Sequence, residues 1–492
     1  MQGHQSYQPQ LFSIFSMEAL IPPDHLLRQI DAKIDFEFVR EMTAHLYCQD
    51  NGRPSVDPVL FIRVCLIMHL YDVPSDRQVC EEIQYNLAYR WFCRLSIEDG
   101  VPDHSSLTRI RDRLGEETFK KIFEHVVRLC IEKGLVTGKK VMMDGSYMKA
   151  DAALNSLVPK EEEKKDEPKD PDEDEPGGNV TDIKYSPPKK IAKYAKGQKF
   201  SNKTHISKTD PESTLAGKEG EPKQLRYKNH CTIDTDSRVI LDAHITTGTE
   251  VDGHQMLSRM DHIEETFDLN IEEMTADRGY GYGINLDGLD KRNVRAFVPN
   301  FHEDVGENID PDLFKYDKET DTFTCPQGHQ MSRKTSDEAE KQNYARRYQV
   351  KVNCNKCPMR DTCWEKPPKQ SRARKALVRN VYWELQLETK ERERTRTFRA
   401  MRVERQWKME GIFAEGKENH GLGRARYRGR AKVQIQAYMI AVVQNLKRMM
   451  GCGPVAEVGL HQIEAGVTQL PGPTWFTKLK LFFGFLDQPR FA

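Results

Sequence analysis

Residues 158–200 constrain this chain more than any other feature. The segment includes EEEKKDEPKDPDEDEPGG, is rich in Pro, Lys, Glu and Gly, and holds too few apolar side chains to bury a core. It is expected to be a disordered or extended insertion. The apolar run just before it, KKVMMDGS at 139–146, is expected to be a strand, and order resumes only beyond residue 200, so the fold is built from segments on either side of the insertion.

The remaining sequence supplies those segments. With 492 residues, 38% of them hydrophobic and 30% charged, the chain is too long for one ordinary core, and two to four structural units are expected. No apolar run reaches the length of a membrane span, and the N-terminal residues lack the pattern of a secretion signal, so a protein without membrane contact is expected. Seven of the eleven cysteines are scattered among apolar neighbours, as Cys65 is in FIRVCLIMHL. Buried reduced thiols of this kind imply a cytoplasmic setting.

Residues 20–135 read as helices. Asp57-Pro58 is helix-start chemistry ahead of VLFIRVCLIMHLY, and Ser75 precedes Gln78 at capping-box spacing. In PDHSSLTRIRDRLG, Asp103 or Ser105 caps a short helix. Leu107, Ile110 and Leu114 share one face of it, Arg109, Arg111 and Arg113 line the others, and Gly115 ends it. Such a helix suits a DNA groove, or equally the surface of a bundle.

From residue 139 the period changes. KKVMMDGS reads as a strand that ends near Asp144. LRYKNHCTIDTDSRVILDAHITTG reads as a hairpin turning at Asp234–Ser237. DGHQMLSRMDHIEETF is a helix with a Met256, Met260, Ile263, Phe267 stripe. NIEEMTADRGYG is a strand, GINLDGLDKRN a helix and VRAFVPN a strand. This order predicts an α/β mixed sheet flanked by helices. Residues 377–418 read as one long charged helix, and KVQIQAYMIAVVQNLKRMM as a final amphipathic helix. Five divisions follow: an all-α N-terminal domain at 1–135, a core at 136–300, a cysteine-rich insertion at 301–376, the core's C-terminal helices at 377–450, and a tail at 451–492.

The net charge of zero conceals a segregation. Residues 161–175 are strongly acidic, while about 369–432 carry roughly twice as many basic as acidic residues. A polyanion partner fits that basic region, and so does a solvated helix face.

Cys325, Cys354, Cys357 and Cys363 lie in the insertion, the last three in CNKCPMRDTC. Four thiolates close a tetrahedral shell around a structural Zn²⁺, with His329 as a substitute ligand and free cysteines as the alternative. Asp144 and Asp277 sit where two apolar strands end. They converge if those strands are neighbours, and converging carboxylates call for a hard cation between them. Glu410 and Lys417, seven apart, share a helical face, while Glu404 lies about 120° round from Glu410. Asp144, Asp277 and Glu410 would hold two Mg²⁺ for in-line phosphodiester displacement. Asp151 lies beyond the Gly-Ser break and has no claim to the site.

The order of VDPVLFIRVCLIMHLY, YRWFCRLSIEDGVPDHSSLTRIRDRLG, VMMDGSYMKADA, SKTDPEST, TADRGYG and GIFAEGKENHGLGRARYRGRAK resembles that of the DDE transposases of bacterial insertion sequences. The resemblance spans roughly residues 15–450. It implies an RNase H-like catalytic sheet, with a helical N-terminal domain and a zinc-ribbon-like insertion. The implied triad is Asp144, Asp277 and Glu410. The family's glutamate helix carries Tyr, Arg, Glu and Lys at spacings of three, four and seven. This chain keeps Glu410 and Lys417 but has Val403 and Gln406 at the first two positions, with Arg402 and Arg405 one place away. The resemblance further implies cleavage at the ends of a mobile element, joining of the 3′-OH to target DNA, a homo-oligomer on DNA, and a bacterial nucleoid location. Arg109, Arg111, Arg113, Arg402, Arg405, Lys417, Arg424, Arg426, Arg428 and Arg430 are the expected DNA contacts. A nuclease without strand transfer and a non-catalytic DNA-binding descendant are the alternatives.

Overall fold

The computed structural model describes residues 16–451 except 49–54, 161–199, 219, 303–308, 311, 337–344, 365–367 and 369–371. Most of the expected insertion and the tail thus lie outside the described residues.

Among the described residues, seven α-helices precede the first strand. Helix Pro58–Leu70 begins at Asp57, whose carboxylate accepts from the Val59 N–H, and nearly all of its side chains are buried. Asp103 caps helix His104–Glu132 by accepting from the Ser105 N–H. Gly115, at φ 67°, breaks that helix where the sequence predicts a stop. Leu107, Ile110 and Leu114 are buried as expected.

The sheet contains strands β1 (Lys140–Lys149), β4 (Thr214–Ala216), β5 (Gln224–Asp234), β6 (Ile240–Thr247), β7 (Glu273–Ala276) and β8 (Arg295–Phe297). Their order is β4-β5-β1-β7-β8, with β6 also on β5. β1 is antiparallel to β5 and parallel to β7. Strands β2 (Leu157–Pro159) and β3 (His205–Ser207) pair antiparallel across the base of the polar segment, so the chain returns to where it left.

One sequence expectation needs correction here. β1 does not end at Asp144. Its pairing with β7 stops at Met143↔Ala276, but its ladder with β5 continues to Lys149↔Arg226. Asp144 is therefore the first residue past the parallel ladder and still inside the antiparallel one.

The final helix, Arg430–Met449, is buried on most sides. It covers the outer edge of β6 with side-chain amides. Gln434 accepts from Ile245 N–H and donates to the Ala243 carbonyl, and Asn445 makes the same pair of bonds to Ile240. An edge that would otherwise expose unpaired backbone is thereby satisfied. On its other side the helix stacks Tyr438 on Phe123, with ring centroids 5.5 Å apart, so the N-terminal helices and the sheet share one apolar core.

A second sheet follows, in the order β13-β12-β11-β10-β9 and antiparallel throughout: β9 (Lys315–Asp317), β10 (Thr322–Thr324), β11 (Gln330–Arg333), β12 (Ala345–Val350) and β13 (Ala376–Asn380). Phe323, Met331, Tyr348 and Leu377 form its own small core. β13 corrects the expected long helix at 377–418. In its place are this strand and two helices, Trp383–Glu393 and Arg396–Asn419. They part at Thr395, which is extended and whose hydroxyl accepts from the Phe398 N–H as an N-cap.

Candidate acidic site and nucleic-acid interface

The parallel register Met143↔Ala276 makes Asp144 and Asp277 the next residues on two neighbouring strands. Each carboxylate is oriented by a local turn. Asp144 Oδ1 accepts from the Gly145 N–H, and Asp277 Oδ1 from the Gly279 N–H, both at 2.8 Å.

The third expected acid comes from helix Arg396–Asn419, which is tied to the rest of the core at three levels. Lys408 Nζ donates to the Thr235 carbonyl at 2.6 Å, and Gln444 Nε2 to the Ile412 carbonyl at 2.9 Å. Glu415 pairs with Lys447 at 2.8 Å and Arg448 at 2.9 Å. Glu410 is exposed, accepts from Gln406 Nε2 at 3.3 Å, and opens with Lys417 onto the same cleft as Asp144 and Asp277. That cleft has a volume of about 860 Å³. Glu404 faces elsewhere and pairs with Lys408.

The electrostatics of the cleft are dense. Burial pushes the Asp144 carboxyl up to about 6, against the pull of Arg405 and with the push of Asp277. Arg405 Nη1 stands 2.6 Å from Asp144 Oδ2. A further aspartate, Asp252, lines the cleft, and residue order gave no reason to place it there. Its Oδ2 pairs with Lys228 Nζ at 3.1 Å, and its carboxyl is raised by burial, with Lys228 opposing and Asp277 adding. Beneath these groups lies Tyr280, fully buried, its hydroxyl without a hydrogen-bond partner. Burial raises that phenol, and Asp252, Asp144 and Asp277 raise it further. The only sequence signal for Asp252 was a DGH turn between a strand and a helix, which reads as ordinary cap chemistry.

One wall of the cleft is basic. Lys149, Lys218 and Arg226 line it with Lys417. Burial lowers the Lys417 ammonium, and Lys218 and Arg226 lower it further while Asp144 opposes them. Only Lys417 of these four was expected. The missed three lie on β1, β5 and the loop between β4 and β5, where no sequence spacing connects them.

The other expected DNA contacts divide. Arg109, Arg113 and Arg402 are exposed. Arg111 is not on that surface: it is buried, gives both of its terminal nitrogens to Asp76, and lies 4.3 Å over the Tyr427 ring. Arg426 is likewise turned in, with a side chain 7% exposed, against Asp72. Arg424 and Arg428 stay more than half exposed while sharing Asp151, and Arg430 stands 4.0 Å from Glu212.

In the second sheet, Cys325, Cys354, Cys357, Cys363 and His329 line one pocket of about 190 Å³. Burial raises the Cys363 thiol, Lys375 opposes it, and Cys357, Cys325 and Cys354 raise it further. Among the described residues no three His, Cys, Asp or Glu side chains stand together in a ready-made metal-holding group, in either region. No helix among them is long and apolar enough to cross a membrane.

Two family models match the chain. Residues 15–113 match one described as a transposase domain (DUF772), and residues 324–450 match one described as a transposase DDE domain. The second match contains Glu410 and the four cysteines, while Asp144 and Asp277 lie between the two matches. No curated protein sequence matches. Among solved structures, a Mos1 transposase paired-end complex with the left transposon end is 10% identical at a TM-score of 0.15, covering 51% of this chain and 61% of its own. This chain thus spans less than two thirds of that relative. A Mos1 mariner paired-end complex with Mn is 8% identical at a TM-score of 0.15, covering 55% of this chain and 75% of its own. At these TM-scores the likeness bears on neither fold nor function.

Proposed function

We infer that this chain, which belongs to the DDE transposases of insertion sequences by its two domain matches, cleaves the ends of a DNA element and joins the freed 3′-OH to target DNA. The observation that carries the reading is the register of β1 on β7, which sets Asp144 beside Asp277 at the mouth of a cleft that Glu410 also lines.

The donor set fits hard divalent cations. All the groups are oxygens, and Asp252 Oδ1 and the Tyr280 hydroxyl are buried there without hydrogen-bond partners. Asp144, Asp277 and Glu410 would hold two Mg²⁺. When bound, such ions lower the pKa of an attacking water or 3′-hydroxyl and stabilise the leaving oxygen. The chain's own residues do the rest. Gly145 and Gly279 N–H groups aim the two aspartates, and the Lys408, Gln444 and Glu415 contacts fix the helix that presents Glu410. Lys149, Lys218, Arg226 and Lys417 would run the phosphate backbone along one wall. Arg109, Arg113, Arg402, Arg424, Arg428 and Arg430 would add further phosphate contacts.

The core would be RNase H-like, and the sheet at 315–380 a zinc-stapled accessory held by Cys325, Cys354, Cys357 and Cys363. The sulfur donors suit Zn²⁺ and their pocket is small enough for one ion. Paired ends would be held by a homo-oligomer.

The test is Mg²⁺-dependent nicking of DNA carrying the element's ends. Asp144→Asn should abolish nicking while end binding survives, and nicking that persists in that variant excludes the triad. Joined products beside the nicks distinguish a transposase from a nuclease. Binding with no cleavage by the wild type would mark a non-catalytic descendant.

A further inference from the structure

Asp144 and Asp277 are each followed closely by a glycine, and both glycines face Asp252. A Cβ on Gly145 would stand 2.6 Å from Asp252 Oδ1, inside any tolerable contact. A Cβ on Gly279 would stand 3.0 Å from Asp277 Oδ1 and 3.6 Å from Asp252 Oδ2. Asp252 is thus packed into the gap between the two catalytic turns, within reach of both.

Its partners show a site with unused capacity. Oδ2 is taken by Lys228, whose ammonium also donates to the Glu250 carbonyl at 3.0 Å. Oδ1 is buried and accepts no hydrogen bond. His230 Nδ1, also buried and without a hydrogen bond, lies 3.5 Å from that oxygen, while its Nε2 meets Thr246 Oγ1 at 2.9 Å. The Tyr280 hydroxyl, fully buried, is likewise unpartnered among Asp252, Asp144 and Asp277. Buried polar atoms are nearly always satisfied, so Asp252 Oδ1 and its two unsatisfied neighbours point to a ligand that completes them.

We propose that Asp252 is a fourth carboxylate of the divalent-cation site, and that Lys228 competes with the cation for it and so sets the affinity of the site. The inference rests on the Asp144–Asp277–Glu410 reading. It adds a residue outside that triad and a cationic side chain that opposes metal binding. Lys228 and His230 face Asp252 from β5, and Asp277 faces it from the end of β7.

The experiment is Mn²⁺ binding to the full-length chain, read from the EPR signal of free Mn²⁺ without DNA. Asp252→Asn should weaken binding about tenfold, and Lys228→Met should tighten it several-fold. The double variant decides the mechanism: if Asp252 is a ligand, the gain from Lys228→Met disappears in the Asp252→Asn background. An equal gain in both backgrounds would mean that Lys228 acts only through its long-range charge, and would overturn the proposal. So would wild-type affinity in Asp252→Asn. Should Asp252→Asn fail to fold, Lys228→Met alone decides, since unchanged or weaker binding overturns the competition. Asp144→Asn is the control for the underlying reading. If it leaves Mn²⁺ binding intact, that reading fails, whereas loss in Asp144→Asn with no change in Asp252→Asn removes Asp252 alone.

Discussion

Arg405 Nη1 lies 2.6 Å from Asp144 Oδ2, so the helix that carries Glu410 supplies the positive charge opposite the first aspartate of the proposed triad. Both side chains are mostly buried, at 16% and 21% exposure. An ion pair in that setting is not a loose surface contact, since removing either partner leaves the other charge largely buried and uncompensated. A metal bound by Asp144 must displace or share that guanidinium. Arg405→Gln should therefore tighten Mn²⁺ binding by about tenfold, the effect of about 1.4 kcal/mol. Weaker binding in the variant would show that Arg405 supports the site rather than competes for it. Titration by calorimetry measures either outcome.

The basic wall makes a separate prediction. Lys218 and Lys417 line the acidic cleft without being part of the proposed triad. Each phosphate contact contributes about 0.9 to the slope of log affinity against log salt on duplex DNA. Lys218→Ala with Lys417→Ala should lower that slope by about 2 and weaken binding to any sequence alike. An unchanged slope, measured by fluorescence anisotropy across a salt series, would move the phosphate path to another face.

Much of this arrangement could be read from residue order alone. The hairpin, the Met256–Phe267 helix and the strand before Asp277 follow from period and turn chemistry, which are local. Asp144 and Asp277 were visible because each follows an apolar run and the two come in order before a helix with Glu410 and Lys417. Other features depended on partners distant in sequence. β1 extends past Asp144 because β5 continues beside it. Arg111 reads as a surface arginine until Asp76 and Tyr427 close over it. Asp252 resembles any cap residue until Gly145 and Gly279 are seen to leave room for it. Charge placement along a helix indicates which face a residue is on, but not which acid waits on the opposite element.

Glu415 carries the pH dependence of the glutamate helix. Burial works to raise its carboxyl, but His420, Arg448 and Lys447 together hold it well below its ordinary 4.5. A carboxyl depressed by folding contributes stability that is fully present above its unfolded pKa and is lost as pH falls below it. Glu415→Gln takes the carboxylate from buried Arg448 and from Lys447 and should cost about 3 kcal/mol at pH 7. The gap between variant and wild type should then narrow steadily below about pH 4.5, as the wild type loses the same interaction. Urea unfolding at pH 7, 5, 4 and 3 would show this convergence. A constant gap would mean that packing, not charge, holds Glu415 in place.

The cysteine pocket yields the last prediction. Four sulfurs and His329 line it, and Lys375 donates to the Cys363 carbonyl beside them. Burial lowers the Lys375 ammonium while Cys363 and Cys354 raise it, which places a cation next to thiols that a metal would ionise. The small core of this sheet rests on few large side chains, among them Phe323, Met331 and Tyr348. A core of that size needs a staple to hold its loops. Purified protein should contain about one zinc per chain, and Cys354→Ser with Cys357→Ser should lose it. Chelation should then expose the 315–380 region to protease before the mixed sheet gives way. Elemental analysis with limited proteolysis checks both steps, and a zinc-free wild type that resists protease throughout would show that the sheet holds itself.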